Sequence, residues 1–222
     1  LNTNYDGYEQ TAVTVDLVIF TVNQNRLNVL LVKRAGAPFS GCWSIPGGFL
    51  RTGESLEQAA LRVMEEKTGV KEVYLEQLYT FGRPDRDPRA RIITVTYFAL
   101  IAWKRLAQPE SKQVTDVGWF SVDDLPLLAF DHQEILTFAI QRLRAKAGYS
   151  SIVYGLLPEA FRLSDLQKMY EVIMNRGFDK RNFRKRMLAS GLLEKTGRQE
   201  ISGAHRPAML YQFKQRELVF FD

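Results

Sequence analysis

The sequence predicts an α/β sandwich followed by a small helix-turn-helix domain with a β-hairpin wing. Three observations predict it. Two β-branched runs joined by a turn open the chain, a well-capped helix lies among further strands, and a helix, a turn, a basic helix and a hairpin close it. At 222 residues the chain is long for one domain and comfortable for two. The expected division is 1–147, a joint at 148–157, and 158–222.

A hydrophobic content of 45 % with 25 % charged residues suffices for a buried core. No apolar run approaches the ~20 residues of a membrane helix, and LNTNYDGYEQ lacks the basic-then-apolar form of a secretory leader. A single cysteine, Cys42, excludes an internal disulfide and a multi-cysteine metal site. The expected compartment is the cytoplasm.

The elements follow in order. Ala12–Val22 and Leu27–Lys33 are strands separated by the turn-rich NQNR, hence a hairpin. Ser55 caps a helix, with Gln58 three residues on completing a capping box and Gly69 ending it after Thr68. Strands are expected at Val73–Thr80, Ile92–Trp103 and Val117–Phe120, and an amphipathic helix at His132–Ala147. GYSSIVYGLLP is the joint, apolar enough to pack. Leu163, Leu166, Met169, Tyr170 and Ile173 give helical periodicity over Leu163–Arg176, with Ser164 near its cap. A turn at Asn175–Phe178 leads to a helix over Lys180–Ser190. That helix is expected to bury Phe183, Met187 and Leu188. Leu192–Glu194 and Ala208–Lys214 form the wing around the loop GRQEISGAHRP.

Charge is divided unevenly. Residues 1–150 hold 17 basic and 17 acidic residues, residues 151–222 hold 13 and 8, and the stretch 176–216 holds 11 and 3. A neutral front and a basic back imply different partners, the back suiting a polyanion. Lys180, Arg181, Asn182, Arg184 and Lys185 stand at the start of the second helix of the pair, where such motifs contact base edges. Arg198, His205 and Arg206 lie in the wing. Double-stranded DNA is the expected partner.

Residues 48–70, GFLRTGESLEQAALRVMEEKTGV, resemble the Nudix box, whose pattern is G-x5-E-x7-R-E-U-x-E-E-x-G-U with U aliphatic. Gly48, Glu54, Arg62, Met64, Glu66, Gly69 and Val70 fall on the pattern, whereas Val63 and Lys67 stand where the family has glutamates. Residues 63, 66 and 67 share one helical face. In Nudix enzymes that face holds magnesium or manganese on a substrate diphosphate. Hard cations need several oxygen ligands. Val63 offers none, and Lys67 brings a repelling ammonium. Glu65 points about 100° away. The expectation is a nucleotide pocket without hydrolysis and without a required metal or cofactor.

LLVKRAGAPFSGCWSIPGGFL and GRPDRDPRARIITVTYFAL resemble the segments flanking the box in ADP-ribose pyrophosphatases, which brings in Arg34. Arg83, Arg86, Arg89 and Arg91 offer forked donors for phosphate oxygens. Asp85 and Asp87 can hold those arginines or accept from ribose hydroxyls. Gly47 and Gly48 permit close backbone approach to a diphosphate. Phe49 or Phe20 can stack on a base. Glu54 and Glu66 remain as polar ligand contacts, and His132 can reach the pocket. Arg62 suits scaffold and ligand roles equally, while Cys42 and Trp43 read as packing residues.

A degenerate Nudix domain followed by a winged helix is similar to the NrtR family of Nudix-related transcriptional regulators. The resemblance implies a bacterial regulator, expected to be a repressor, of NAD biosynthesis or salvage genes. It implies ADP-ribose as effector, a palindromic operator and a homodimer formed through the Nudix half. Ile92–Trp103 and the N-terminal strand are the candidate dimer elements. The alternative is an active ADP-ribose pyrophosphatase with an accessory nucleic-acid-binding domain.

Overall fold

Ala12–Asn23 (β1) is the spine of the larger sheet and is buried on both faces. Its even-numbered Val18, Phe20 and Val22 enter one core, and its odd-numbered Val15, Leu17 and Ile19 the other. The computed structural model describes residues 7, 9–71, 73–106, 117–200 and 207–221. Gln24 and Asn25, both at positive φ, turn the chain into Arg26–Lys33 (β2), as a two-residue type I′ hairpin requires. Trp43–Ser44 (β3), Gly47–Phe49 (β4), Tyr74–Phe81 (β5), Ile92–Leu100 (β6) and Val117–Ser121 (β7) complete the sheet. The main path is β3-β2-β1-β6-β5, with β7 on β2 and β4 on β1. β1 and β6 run parallel from Ala12↔Ile92 to Phe20↔Leu100.

One edge of β1 is shared between two partners. β2 pairs with Phe20–Asn23 and β4 with Thr14–Asp16. A crevice lies beside the start of β1 and β4.

Leu56–Thr68 (α1) covers one face of the sheet. The reciprocal Ser55–Gln58 capping box starts it, and Gly69 at φ 70° stops it. Ala59, Ala60, Val63 and Met64 face the sheet, and burying the last two contributes roughly 1.5–3 kcal/mol each. His132–Tyr149 (α2) covers the other face through Ile135, Leu136, Ala139 and Leu143. These layers form the expected α/β/α sandwich.

Phe161–Arg162 (β8), Leu163–Met174 (α3), Lys180–Ala189 (α4), Leu193–Glu200 (β9) and Ala208–Phe213 (β10) form the second unit, with strand order β8-β10-β9. Asn175, left-handed at φ 50°, ends α3. The turn is fixed by α3 side chains, since Glu171 accepts from the Phe178 N–H and Gln167 donates to its carbonyl. Asp179 caps α4 by accepting from the Asn182 N–H.

Several expectations are corrected. Ser164 does not cap α3: it is exposed inside the first turn, and Asp165 accepts from the Arg162 backbone instead. Leu188 is 42 % exposed, because Phe183 and Met187 alone face α3 and the core. β6 stops at Leu100, and Trp103 begins a single 3-10 turn. β9 runs to Glu200, into the expected wing loop. The short β3, β4 and β8 were not expected. Among the described residues, β1 and β6 each have strands on both sides.

The joint at 148–157 is packed. Ser150, Ser151, Ile152 and Val153 are buried, and one hydrophobic core runs from Val18 and Phe20 through Ile152 to Tyr170 and Phe213. Arg144 on α2 donates to the Ile173 carbonyl, and the Tyr170 hydroxyl to that of Ser150. The chain beyond β10 then returns as a strap. Ser151 N–H donates to Val219 O, Phe221 N–H to Tyr149 O, and Val219 N–H to the Ser151 hydroxyl. The Arg216 guanidinium donates to the carbonyls of Tyr154, Leu157 and Pro158. The second unit is therefore gripped at both its ends by the end of α2 and the turn that follows.

Candidate functional site

The crevice beside β1 has a volume of about 290 Å³. Thr14 and Asp16 of β1, Val32 and Arg34 at the end of β2, Gly47–Phe49 of β4, Lys67 of α1, Arg86, Asp87 and Arg89 of the loop before β6, and Phe130 and His132 line it.

A buried polar brace forms its floor. Arg86 is 6 % exposed and donates two bonds to Asp131, at 2.9 and 2.8 Å, with a third at 3.5 Å to Asp16. His132 is 5 % exposed, and its Nδ1 accepts from the Ile45 N–H at 2.9 Å, which leaves the proton on Nε2, 3.9 Å from Asp16. Burial lowers the His132 pKa, with Arg86 and Arg34 adding to the effect and Asp16 and Asp131 opposing it. The ring is thus neutral at pH 7. Gly47 is dictated by this brace: a Cβ there would overlap Asp16 Oδ1 and lie 2.7 Å from the Val15 carbonyl. Gly48 has no such constraint, its nearest side-chain atoms being 3.8 Å from a Cβ position.

The walls are aromatic and cationic. Arg34 lies 4.6 Å over the Phe130 ring, and Arg89 lies between Phe130 and Phe49 at 5.6 and 5.8 Å. Phe39 meets Phe130 edge-on at 4.8 Å. Burial lowers the Arg34 pKa, and Arg89 lowers it further. Asp87 holds Arg89 through two side-chain bonds of 3.0 and 2.7 Å. Burial alone would raise the Asp87 carboxyl, but the Arg89 side chain and N–H outweigh it and leave it below the usual carboxylate value.

On α1, Val63 is 2 % exposed and packs in the core beneath β4, while Lys67 reaches the crevice. Arg62 grips Glu54 at 2.6 and 2.9 Å and also donates to the Phe49 carbonyl. The Arg62 guanidinium and the Arg51 N–H lower the Glu54 carboxyl to about 2. Glu66 pairs with Arg51 and Arg62, and Glu65 pairs outward with Lys71. Among the described residues, no group of three or more His, Cys, Asp or Glu is placed to hold a metal ion.

At the far end of the molecule α4 presents Lys180, Arg181, Asn182, Arg184 and Lys185, all exposed, while Phe183 and Met187 anchor it. Arg198 is exposed on β9. His205 and Arg206 lie outside the described residues.

Residues 10–138 match the model of the NUDIX domain, and residues 153–213 match that of the NrtR DNA-binding winged helix domain. The ADPR responsive transcriptional repressor NtrR of Acinetobacter baylyi is 39 % identical over 217 residues, which cover 96 % of this chain and 86 % of that protein. The chain belongs to the NrtR family. Shewanella oneidensis NrtR in complex with a 27mer DNA superposes with a TM-score of 0.82 at 40 % identity, covering 91 % of this chain and 93 % of the other. The NUDIX domain of the same NrtR, solved with ADP ribose, gives a TM-score of 0.56 at 41 % identity over 64 % of this chain and 94 % of the other.

Of the residues named from sequence, this crevice brings together Arg34, Gly47, Gly48, Phe49, Arg86, Asp87, Arg89 and His132. It leaves others out. Glu54 and Glu66 are taken by Arg62 and Arg51 behind the box. Arg83 and Asp85 are exposed, Arg83 reaching Glu134 beside a separate cleft. Arg91 is a brace that donates to the Gly82 carbonyl and pairs with Glu9. Phe20 is wholly buried and cannot stack on a base. Arg86 lies at the crevice but is engaged by Asp131 and Asp16, so its fork supports the floor. Sequence reasoning missed Asp16 and Phe130. A lone carboxylate in the apolar run AVTVDLVIF was the available signal for the first. The second depends on a positive-φ residue, Phe130 at 54°, which nothing local announces.

Proposed function

We propose that this chain is a bacterial transcriptional repressor of NAD biosynthesis or salvage genes that binds operator DNA through α4 and the wing and is controlled by ADP-ribose in the crevice. The observation that carries it is the joining, in one packed molecule, of a cationic nucleotide-sized crevice to a basic winged helix. The family relatives bound to DNA and to ADP ribose support the same pairing. Phosphate oxygens fit Arg34, Lys67 and the Gly48 backbone, and a planar base fits the Phe49–Phe130 side. Lys180, Arg181, Asn182, Arg184 and Lys185 enter the major groove, and Arg198 with the wing follows the backbone. A homodimer in the cytoplasm places two such helices on two half-sites. The functional units divide at the packed joint, 148–157.

The crevice is read as a sensor without hydrolase activity. Val63 is committed to the core and Lys67 is a cation, so the two positions where Nudix enzymes place glutamates offer no oxygen to magnesium. Incubation with ADP-ribose and Mg²⁺ is expected to release no AMP while ADP-ribose raises the melting temperature. Robust AMP release would establish the pyrophosphatase alternative.

A further inference from the structure

We propose that Lys67 replaces the divalent metal of the parent motif, so that the crevice binds the diphosphate of its ligand through protein cations alone. This deepens the ADP-ribose reading above and rests on it. Four cationic side chains line the crevice, Arg34, Lys67, Arg86 and Arg89, against two carboxylates, Asp16 and Asp87. Partners divide them unequally. Arg86 is consumed by Asp131 and Asp16, and Arg89 by Asp87. Arg34 donates its Nε–H to the Pro38 carbonyl, a neutral acceptor. Lys67 is exposed and, among the described residues, has no carboxylate partner.

Arg34 and Lys67 are therefore the crevice cations without a carboxylate hydrogen-bonded to them, and a diphosphate diester such as ADP-ribose carries two negative charges at neutral pH. These two side chains can meet the phosphate oxygens directly, without a metal between them. A divalent cation beside the Lys67 ammonium would bring like charges together. The motif's own carboxylates offer a metal little: Glu54 is gripped by Arg62, Val63 is core, and Glu66 stands alone, half exposed, 3.4 and 3.6 Å from Arg51 and Arg62. An ammonium attracts phosphate oxygens as a metal does, but it cannot polarise a bound water into a nucleophile. The same substitution thus retains the ligand and removes the reaction.

Calorimetric titration of the full chain with ADP-ribose, in EDTA and in Mg²⁺, tests the assignment on the unaltered protein, Lys67→Met and Lys67→Glu. The unaltered protein is expected to bind equally in both buffers. Lys67→Met should bind roughly tenfold or more weakly in both, as loss of a charge-assisted contact implies. Lys67→Glu should bind more weakly still in EDTA and regain affinity in Mg²⁺. Lys67 is exposed, so melting temperatures should not change. Binding by the unaltered protein that requires Mg²⁺, or Lys67→Met with unchanged affinity, overturns the assignment while leaving the ADP-ribose reading intact. Inorganic pyrophosphate in EDTA separates the two ideas in the other direction. If it binds in a Lys67-dependent way and ADP-ribose does not, the metal-free anion site stands and the ligand is wrong. If neither ligand binds, both fall.

Discussion

Arg86 and Arg89 are three residues apart in one loop and do opposite work. Arg86 is buried against two aspartates, and removing its charge strands both carboxylates in the interior, which costs about 3–5 kcal/mol. Arg86→Leu should therefore lower the melting temperature by roughly ten degrees at this chain length. Arg89 is itself half exposed but holds the buried Asp87, so Arg89→Ala strands one carboxylate where Arg86→Leu strands two and should lower the melting temperature by less, while ADP-ribose affinity falls about tenfold. Thermal melts and calorimetry distinguish the pair, and equal melting temperatures would contradict the buried brace. His132 adds a pH dependence. Burial holds its folded pKa below the unfolded value of about 6.5. Between those two values the unfolded chain binds the extra proton, so the stability present above about pH 6.5 is lost as pH falls toward the folded pKa. Urea melts from pH 7.5 to 5.5 should show this decline. His132→Asn, which keeps an acceptor for the Ile45 N–H, should flatten it. None of this division of labour was legible in the sequence. RPDRDPRAR shows four arginines of one type, and only the placement of Asp131 and Asp16, supplied by α2 and β1, separates a brace from a wall.

Elements were legible where their determinants are local. Ser55, Gln58 and Gly69 specify both ends of α1 within its own sequence, and the structure has both caps. β3 and β4, of two and three residues, exist only because β2 and β1 pair with them, and no local pattern marks them. Phe20 misled for a related reason: β1 is buried on both faces, so its residues lack the alternation that would tell core from crevice. The basic helix α4 was legible because Phe183 and Met187 fix its inner face and leave the cations outside. Arg181→Ala with Arg184→Ala should weaken binding to operator and non-operator duplex alike if both touch phosphates. It should then reduce the slope of log affinity against log salt by about 2. An unchanged slope with lost operator preference would instead assign them to base edges.

At the scale of the whole molecule, α2 connects the two sites. Its 18 residues extend roughly 27 Å from His132 in the crevice to Tyr149 at the second unit. The strap from Arg216 to Phe221 ties that unit back to the same end of α2, so it is held at two adjacent points rather than by a single hinge. Arg216→Ala with Phe220→Ala is expected to preserve both binding sites and to reduce the effect of ADP-ribose on operator affinity. A repressor that keeps its full ligand response without the strap would place the coupling in the contacts of Arg144 and Tyr170. A ligand controls the operator only through unequal affinity for the DNA-bound and free arrangements. The most direct test is a titration of the protein on a duplex carrying its operator, at fixed salt, with and without saturating ADP-ribose. Operator affinity is expected to fall about tenfold or more on adding ADP-ribose, within the usual range of allosteric coupling. Affinity that is unchanged by ADP-ribose, while ADP-ribose binding itself is confirmed by calorimetry, would contradict the account.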